Sequence, residues 1–580
     1  MKSERGKSLP DSRLLWNVVY ILFFAGVLAL LLRRCRYGFG NWDESFYLTV
    51  PYRLLQGDAL FADEWHLSQM SSVLLLPFVY AYTAIFKTTT GMLLAFRYIY
   101  IAVQALVSIF IYVKLKKYSV LGAAVSSLSF FLYAPFSINA MSYNSLGIIC
   151  LTVSCILLCT GEKEHKIGYF FSGIFYAAAV LCCPYLAALL PLIVIASLIS
   201  EAVLSKNGAG GITEAFAFKN VLWLILGIAF LAVVFLAFVL SRASVSSIID
   251  AFPGIFDDPE HKSLGFGKKF LNYLICIYEQ QKETSRALYI LMDALMLVAL
   301  IDRKRKERRI VYLIAFSAIT IVLAFVLASG DYINLVIFPL NILALSCFVL
   351  FYDDSTIRRL FVSLWIPGMI YSFCLQLSSN QVFYAVSSAS AVALVGSLVI
   401  IMLAFETAFE EESTVSFRIV ILLFATGLFA WQLCNEAYYR YSQVYWEDGI
   451  SGHNYMIEEG FEKGVYVTES KYNKYNNALK MKSEVTAKYS DKDSILFLSE
   501  ETWLYLVYEE YENPAYSAWL SGVNDSAVER LKTYYSLREE KTPDLIYVES
   551  KNMEYGEQLA AYMGYTKDVL SNGDAVFVRK

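Results

Sequence analysis

Long apolar runs recur over the first three quarters of the chain, and most of the short gaps that carry lysine and arginine fall on one side. A run of roughly 17–25 apolar residues crosses the hydrocarbon core of a bilayer as a helix. About thirteen such runs are present, at 14–32, 91–113, 119–137, 140–160, 167–183, 185–203, 220–240, 286–301, 310–328, 333–351, 359–376, 382–404 and 416–434. The shorter run 73–86 reads as a juxtamembrane or partly inserted helix. The chain is 57% hydrophobic and 17% charged, whereas soluble domains carry about 25% charged residues. The expected class is a polytopic α-helical membrane protein.

Lys and Arg mark the cytoplasmic side of such a protein. With the N-terminus inside, the inner loops carry Lys114, Lys116 and Lys117, then Lys163 and Lys166, Lys206 and Lys219, the block 303–309, and Arg358 with Arg359. The short outer loops near Ser137, Gly330 and Ser378 carry none. Arg33, Arg34 and Arg36 are the exception and fall outside. The first run is too long for a signal-peptide core and lacks a clear cleavage site, so it is expected to stay as a helix. The expected location is the plasma membrane, multi-pass, with a cytoplasmic N-terminus and an extracellular C-terminal domain.

The expected organisation is a membrane domain over 1–435 and an exported domain over 436–580. Two exterior loops, 33–90 and 241–285, interrupt the first. In the second, short apolar stretches alternate with helical patterns: 464–468, 494–498, 544–548 and 575–578 as strands, 472–488, 527–537 and 553–563 as helices. That alternation predicts a small α/β domain. It contains no Gly-rich phosphate loop and no cysteine, so neither a nucleotide nor a disulfide framework is expected there. A net charge of −4 and a basic block that reads as a cytoplasmic loop argue against a nucleic-acid partner.

The residues that suggest chemistry lie just beyond the first span, in Asn41-Trp42-Asp43-Glu44-Ser45-Phe46-Tyr47, and again in Asp63-Glu64-Trp65-His66. Carboxylates at the mouth of an apolar helix bundle are costly to desolvate and often functional. A plainer reading exists: Asn41 caps a helix, Glu44 completes a capping box, and Pro51 ends or kinks it. Asp43 also stands close enough to the membrane surface to take a proton from an incoming hydroxyl. Arg97, inside the second span, is either paired with an acid or poised for a phosphate. Arg53, Lys268 and Lys269 are further candidate phosphate ligands. Tyr47, Asp63, Glu64, His66, Gln69, Tyr143 and Asn144 are candidates for lining an acceptor cavity, which the outer turn at Asp331 and Tyr332 could close. Asp257, Asp258, Glu260 and His261 form a candidate divalent-metal site, alone or with the first acidic cluster. No cofactor is otherwise implied.

The order of features resembles the GT-C superfamily of integral-membrane glycosyltransferases. It comprises a first span, an exterior Asp43-Glu44 pair, Tyr47, the step Leu54-Leu55-Gln56-Gly57, an acidic segment, and a helix containing Pro77. The nearest branch is that of the aminoarabinose transferases and protein O-mannosyltransferase-like enzymes. The resemblance implies inverting transfer of a sugar from a polyprenyl-phosphate donor to an exported cell-envelope glycan, lipid or protein. Asp43 would be the base, with Glu44 orienting the acceptor or Asp43 itself. Where those relatives carry a Lys-Pro-Pro-Leu-like stretch, this chain has His66-Leu67-Ser68-Gln69-Met70-Ser71-Ser72, without the lysine. Two other classes fit a polytopic chain: a lipid-linked glycan polymerase or ligase, and a transporter or flippase.

Overall fold

The computed structural model describes residues 10–161, 166–207, 217–257, 265–280, 285–328, 333–379, 383–444, 447, 449–520 and 522–580. Among these, ten helices are long and apolar enough to cross a membrane. They are Leu14–Arg34, Gln69–Phe86, Met92–Leu115, Val120–Ser137, Tyr143–Thr160, Phe218–Leu240, Lys306–Ala328, Ser355–Ser378, Ala391–Glu411 and Val415–Ser442. Three of the expected spans are shorter helices: Lys166–Cys182, Asn334–Leu350 and Arg286–Asp302. At ~1.5 Å per residue they rise about 25 Å, less than the roughly 30 Å of a hydrocarbon core. The expected span 185–203 is a turn, Pro184–Ala188, followed by the helix Leu189–Asn207. Gln69–Phe86 is the one helix of the ten not expected as a full span.

A helix that is apolar all round belongs in the middle of a bundle. Ala391–Glu411 is such a helix, buried along nearly its whole length. Without a hydrophobic force between helices in lipid, close backbone approach and polar bonds across helices hold them together. Ser126 donates to the Val395 carbonyl (2.8 Å) and Ser397 to Asn341 Oδ1 (2.8 Å). Lys166–Cys182 and Phe218–Leu240 touch through two glycines. A Cβ on Gly173 would strike the Leu224 carbonyl, and one on Gly227 the Phe170 carbonyl. The outward face of Phe218–Leu240 presents Phe230, Val233, Leu236 and Leu240, as a lipid-facing surface requires.

The chain after the last long helix builds an α/β domain. Strands β1 (Tyr455–Met456) and β2 (Tyr466–Val467) form an antiparallel pair. Strands β3 (Ile495–Leu498), β4 (Leu545–Val548), β5 (Thr566–Val569) and β6 (Ala575–Val578) form a sheet in the order β3-β4-β6-β5. β3 and β4 are parallel and the other pairings antiparallel. Every residue of β3 and β4 is buried, because helices cover both faces of a parallel pair. The helices are Glu469–Lys488, Asp525–Leu537 and Met553–Met563. Asn524 caps the second by accepting from Ala527 N (3.0 Å).

The segment between the first long helix and the helix Met92–Leu115 carries most of the contacts with this domain. Gly38 N donates to the Tyr466 carbonyl (2.8 Å), and Tyr466 N returns a bond to Arg36 (2.7 Å). Trp65 N reaches Tyr516 (2.8 Å) and Gly91 N reaches Gly460 (2.9 Å). Both flanks of the helix Ser72–Phe86 meet the domain: His66 faces the Trp519 ring at 6.0 Å on one side, and Thr89 bonds Leu506 (2.5 Å) on the other. The helix Asn41–Leu55 runs through Pro51 without ending there. Thr49 steadies the turn, donating to the Ser45 carbonyl (2.9 Å) and facing that of Thr502 (3.3 Å). The last helix, Val415–Ser442, continues past residue 436, where the domain boundary was expected. The segment after the helix Phe218–Leu240 contains two amphipathic helices, Val245–Phe256 and Phe266–Glu279. Each exposes an apolar row, including Ile249, Phe252 and Phe256 on the first and Phe270, Leu274 and Tyr278 on the second.

Candidate functional site

Asp43 sits half-buried in the first turn of Asn41–Leu55, where a carboxylate suits the helix dipole. Tyr47, one turn on, aims its hydroxyl at Asp43 Oδ1 across 3.5 Å. The Tyr47 ring meets Tyr143 edge-on at 5.8 Å. These two tyrosines, with Phe46, Ser68, Gln69 and Met141, line a hollow of about 230 Å³. Gln69 accepts from Phe61 N through Oε1 (2.7 Å), and its buried Nε2 has no partner among the described residues. Asn144 lies next to Tyr143, with a buried Oδ1 in the same condition. Of the residues expected to line an acceptor cavity, Tyr47, Gln69 and Tyr143 border this hollow, and the Tyr47 hydroxyl faces Asp43.

Glu44 and Arg97 go elsewhere. Glu44 is 2% exposed and accepts from Gly40 N (2.9 Å). The capping bond is real, but the cap is Gly40 rather than Asn41. Arg97 donates from Nε to Glu44 Oε1 (2.5 Å) and from its terminal nitrogens to Glu44 Oε2 (2.6 Å), Cys35 O (2.7 Å) and Gly38 O (2.7 Å). Of the two roles open to Arg97, pairing with an acid is the one observed. Its donors are directed into protein, so it offers none to a phosphate here.

Arg53 is likewise committed. Its Nε donates to Asp58 (2.6 Å), one terminal nitrogen to Glu64 (2.7 Å) and the other to the carbonyls of Asp63 (3.2 Å) and Ala515 (2.7 Å). Burial alone would lower its pKa, but Asp58 and Glu64 together hold it above the usual arginine value. Glu64 also accepts from Ala518 N (3.0 Å). Burial pushes its carboxyl up, against the pull of Arg53. Asp63 pairs with Arg538 (2.6 Å) and Asp58 with Lys541 (2.5 Å). The first-loop acids therefore fasten the loop to the C-terminal domain. Asp63 and Glu64 do not line the hollow, and Arg53 is not a phosphate ligand in this arrangement. His66 packs 4.5 Å from the Phe46 ring, behind the hollow's wall.

Lys268 is exposed, and Lys269 donates to the Leu377 carbonyl (2.6 Å). Asp257 is exposed at the end of its helix. Asp258, Glu260 and His261, with Asp331 and Tyr332, lie outside the described residues. No group of three His, Cys, Asp or Glu suited to a metal occurs among the described residues.

A second hollow, of about 380 Å³, opens under the end of the last long helix. Gln432, Asn435, Glu436 and Arg440 face it from one side, Tyr133 and Asn334 from the other. Sequence reasoning closed this span at 434 and missed the stripe. Its signal was the spacing: Gln432, Glu436 and Arg440 recur every four residues, which puts them on one helix face. The strand of chain from 133 to 143 joins the two hollows. Phe136 (φ 55°) and Ser137 (φ 60°) within it hold the left-handed conformation, a strained one for side-chain-bearing residues that clusters at functional sites.

No protein-family model matches the chain, and no curated protein matches it. Two solved structures are similar in shape. The archaeal oligosaccharyltransferase AglB from Archaeoglobus fulgidus, in complex with an inhibitory peptide and a dolichol-phosphate, aligns over 97% of this chain and 74% of its own, at 11% identity and a TM-score of 0.41. The Archaeoglobus fulgidus oligosaccharyltransferase in its apo form aligns over the same shares, at 11% identity and a TM-score of 0.40. TM-scores this low carry no activity, ligand or residue role across to this chain.

Proposed function

We propose that this chain is a membrane glycosyltransferase that moves a sugar from a lipid-linked phosphate donor to an acceptor hydroxyl on the outer face of the membrane. The observation that supports this most directly is Asp43: half-buried in the first turn of its helix and faced by the hydroxyl of Tyr47, whose ring walls a hollow together with Tyr143. In this reading the Asp43 carboxylate takes the proton as the acceptor oxygen bonds the anomeric carbon. The bond from that carbon to the phosphate oxygen breaks, and its electron pair leaves with the phosphate, so the anomeric configuration inverts. A phosphate leaving group needs its charge met more than it needs a general acid. Glu44 acts at one remove: clamped by Arg97 and Gly40, it fixes the turn that presents Asp43. The C-terminal domain holds the first loop in place through its contacts with Arg53, Asp58 and Asp63. The GT-C resemblance of the first loop agrees with this assignment.

The test is transfer of label from polyprenyl-phosphate sugars in membranes, comparing the parent chain with Asp43→Asn. Loss of transfer at equal expression and melting temperature is expected. Undiminished transfer by Asp43→Asn removes Asp43 as the base. Movement of the donor across the bilayer without transfer replaces the enzyme with a flippase.

A further inference from the structure

Arg440 is an unusual arginine. It is 4% exposed, yet Nε and both terminal nitrogens lack a hydrogen-bond partner among the described residues. Its guanidinium stands 6.0 Å from the Tyr100 ring and borders the 380 Å³ hollow. A buried guanidinium without a counter-ion is costly. Neighbouring charge adds to the cost. Arg34 and Arg97 are its electrostatic neighbours, and the nearby Glu44 is already spent on Arg97. Arg34 is turned away, bonded to the carbonyls of Tyr37 (2.6 Å) and Gln443.

The opposite polarity appears farther along the same helix face. Glu436 accepts from Gln432 Nε2 through one oxygen (2.7 Å). Its other oxygen, and Gln432 Oε1, are buried acceptors without partners among the described residues. Glu436 and Arg440 do not form an ion pair. The hollow thus offers unused charged donors at one end and unused acceptors at the other. That pattern complements an anion that also carries hydroxyl groups.

We infer that the hollow beneath the last helix binds the glycosyl phosphate head of a lipid-linked donor, with Arg440 on the phosphate oxygens and Glu436 and Gln432 accepting from sugar hydroxyls. This rests on the glycosyltransferase reading and deepens it by giving the donor head a place. Arg forks suit phosphate oxygens, and membrane-embedded ionisable groups that face a bundle interior mark substrate paths. The chain from 133 to 143 borders this hollow through Tyr133 and Ser137 and the Asp43-side hollow through Met141 and Tyr143. The two hollows therefore share one short strained segment.

The experiment uses the full chain in detergent or nanodiscs, with farnesyl phosphate as the probe. Inorganic phosphate and phosphatidylglycerol serve as the comparison arms. Farnesyl phosphate should raise the melting temperature of the parent chain, and its affinity should fall roughly tenfold to a hundredfold in Arg440→Met. Arg440→Lys, which keeps the charge but not the fork, should fall between. Without ligand, Arg440→Met should melt no lower than the parent, because it removes an unpaired buried charge. Melting below the parent makes Arg440 structural and overturns the site. Unchanged farnesyl phosphate binding in Arg440→Met also overturns it. Equal protection by inorganic phosphate, or equal competition by phosphatidylglycerol, overturns the lipid-linked donor as the occupant. The two readings fail separately. Binding lost in Arg440→Met by a chain that transfers no sugar keeps the site and sinks the transferase. Transfer lost in Asp43→Asn with binding intact in Arg440→Met does the reverse.

Discussion

Arg97 and Glu44 form a two-pronged ion pair, Nε to Oε1 and a terminal nitrogen to Oε2, with neither side chain open to solvent. The remaining Arg97 bonds go to the carbonyls of Cys35 and Gly38, so one guanidinium ties the first long helix, the turn before Asp43 and the helix Met92–Leu115 together. Buried pairs of this kind give little net stability over an apolar pair, but breaking one leaves a stranded charge.

Arg97→Met and Glu44→Met alone should each destabilise the chain by about 3–5 kcal/mol. The double variant should recover much of that loss. A double-mutant cycle on denaturant or thermal unfolding of the solubilised protein measures the coupling. Additive losses would mean that the pair is not linked as described.

Glu462 carries the clearest pH dependence. It is buried beside Lys471, Glu501, Arg97 and Glu44, and burial above all raises its carboxyl from 4.5 to about 8. Between those values the native chain keeps a proton that the unfolded chain has lost. Stability contributed by the protonated form is therefore complete at low pH and declines as pH rises through the window. Glu462→Gln should melt with the parent near pH ~4 and above it near pH ~8. Equal melting at both ends would remove Glu462 from the account.

The fastening of the first loop to the C-terminal domain predicts a protease pattern. Asp58→Ala strips a buried carboxylate from both Arg53 and Lys541, which should cost about 3–5 kcal/mol. Trypsin should then cut the C-terminal domain faster, with the long apolar helices still protected. The rates of fragment appearance on a gel decide it.

Packing through Gly173 and Gly227 leaves no room for a side chain, since the obstacles are backbone carbonyls. Gly227→Leu should prevent a monodisperse product, whereas Gly168→Ala, at a glycine with open space around it, should not. Size-exclusion profiles of the two variants settle this.

Tyr47 separates geometry from proton transfer. Tyr47→Phe keeps the wall of the hollow and removes the hydroxyl facing Asp43, and should lower labelled-sugar transfer about tenfold or less. Tyr47→Ala opens the wall against Tyr143 and should lower it further. An equal drop in both would put the whole effect on the hydroxyl.

Much of the architecture was readable from periodicity. Apolar runs located the long helices, and the alternation after 464 located β3, β4 and β6 within a residue or two. β5 was missed because Thr566-Lys567-Asp568-Val569 is polar and exposed, as an edge strand is. The site was half legible. Asp43, Tyr47 and Tyr143 converge, since residues four apart share a helix face. Asp63, Glu64 and Arg53 stand apart from the hollow, and Arg97 takes the first of its two open roles, because a sequence shows charges but not their partners: Arg538 and Ala518 lie more than 450 positions downstream of the acids they satisfy. Arg440 escaped notice because the hydropathy of its helix fades before its end.

Glu64 accepts at once from Arg53 of its own loop and from the backbone of Ala518. Peeling the C-terminal domain away would uncover carboxylates and a guanidinium that each half needs from the other. Trimming that domain would therefore leave not a smaller stable fold but a broken one, and a truncated expression clone should be sought only with both halves supplied together.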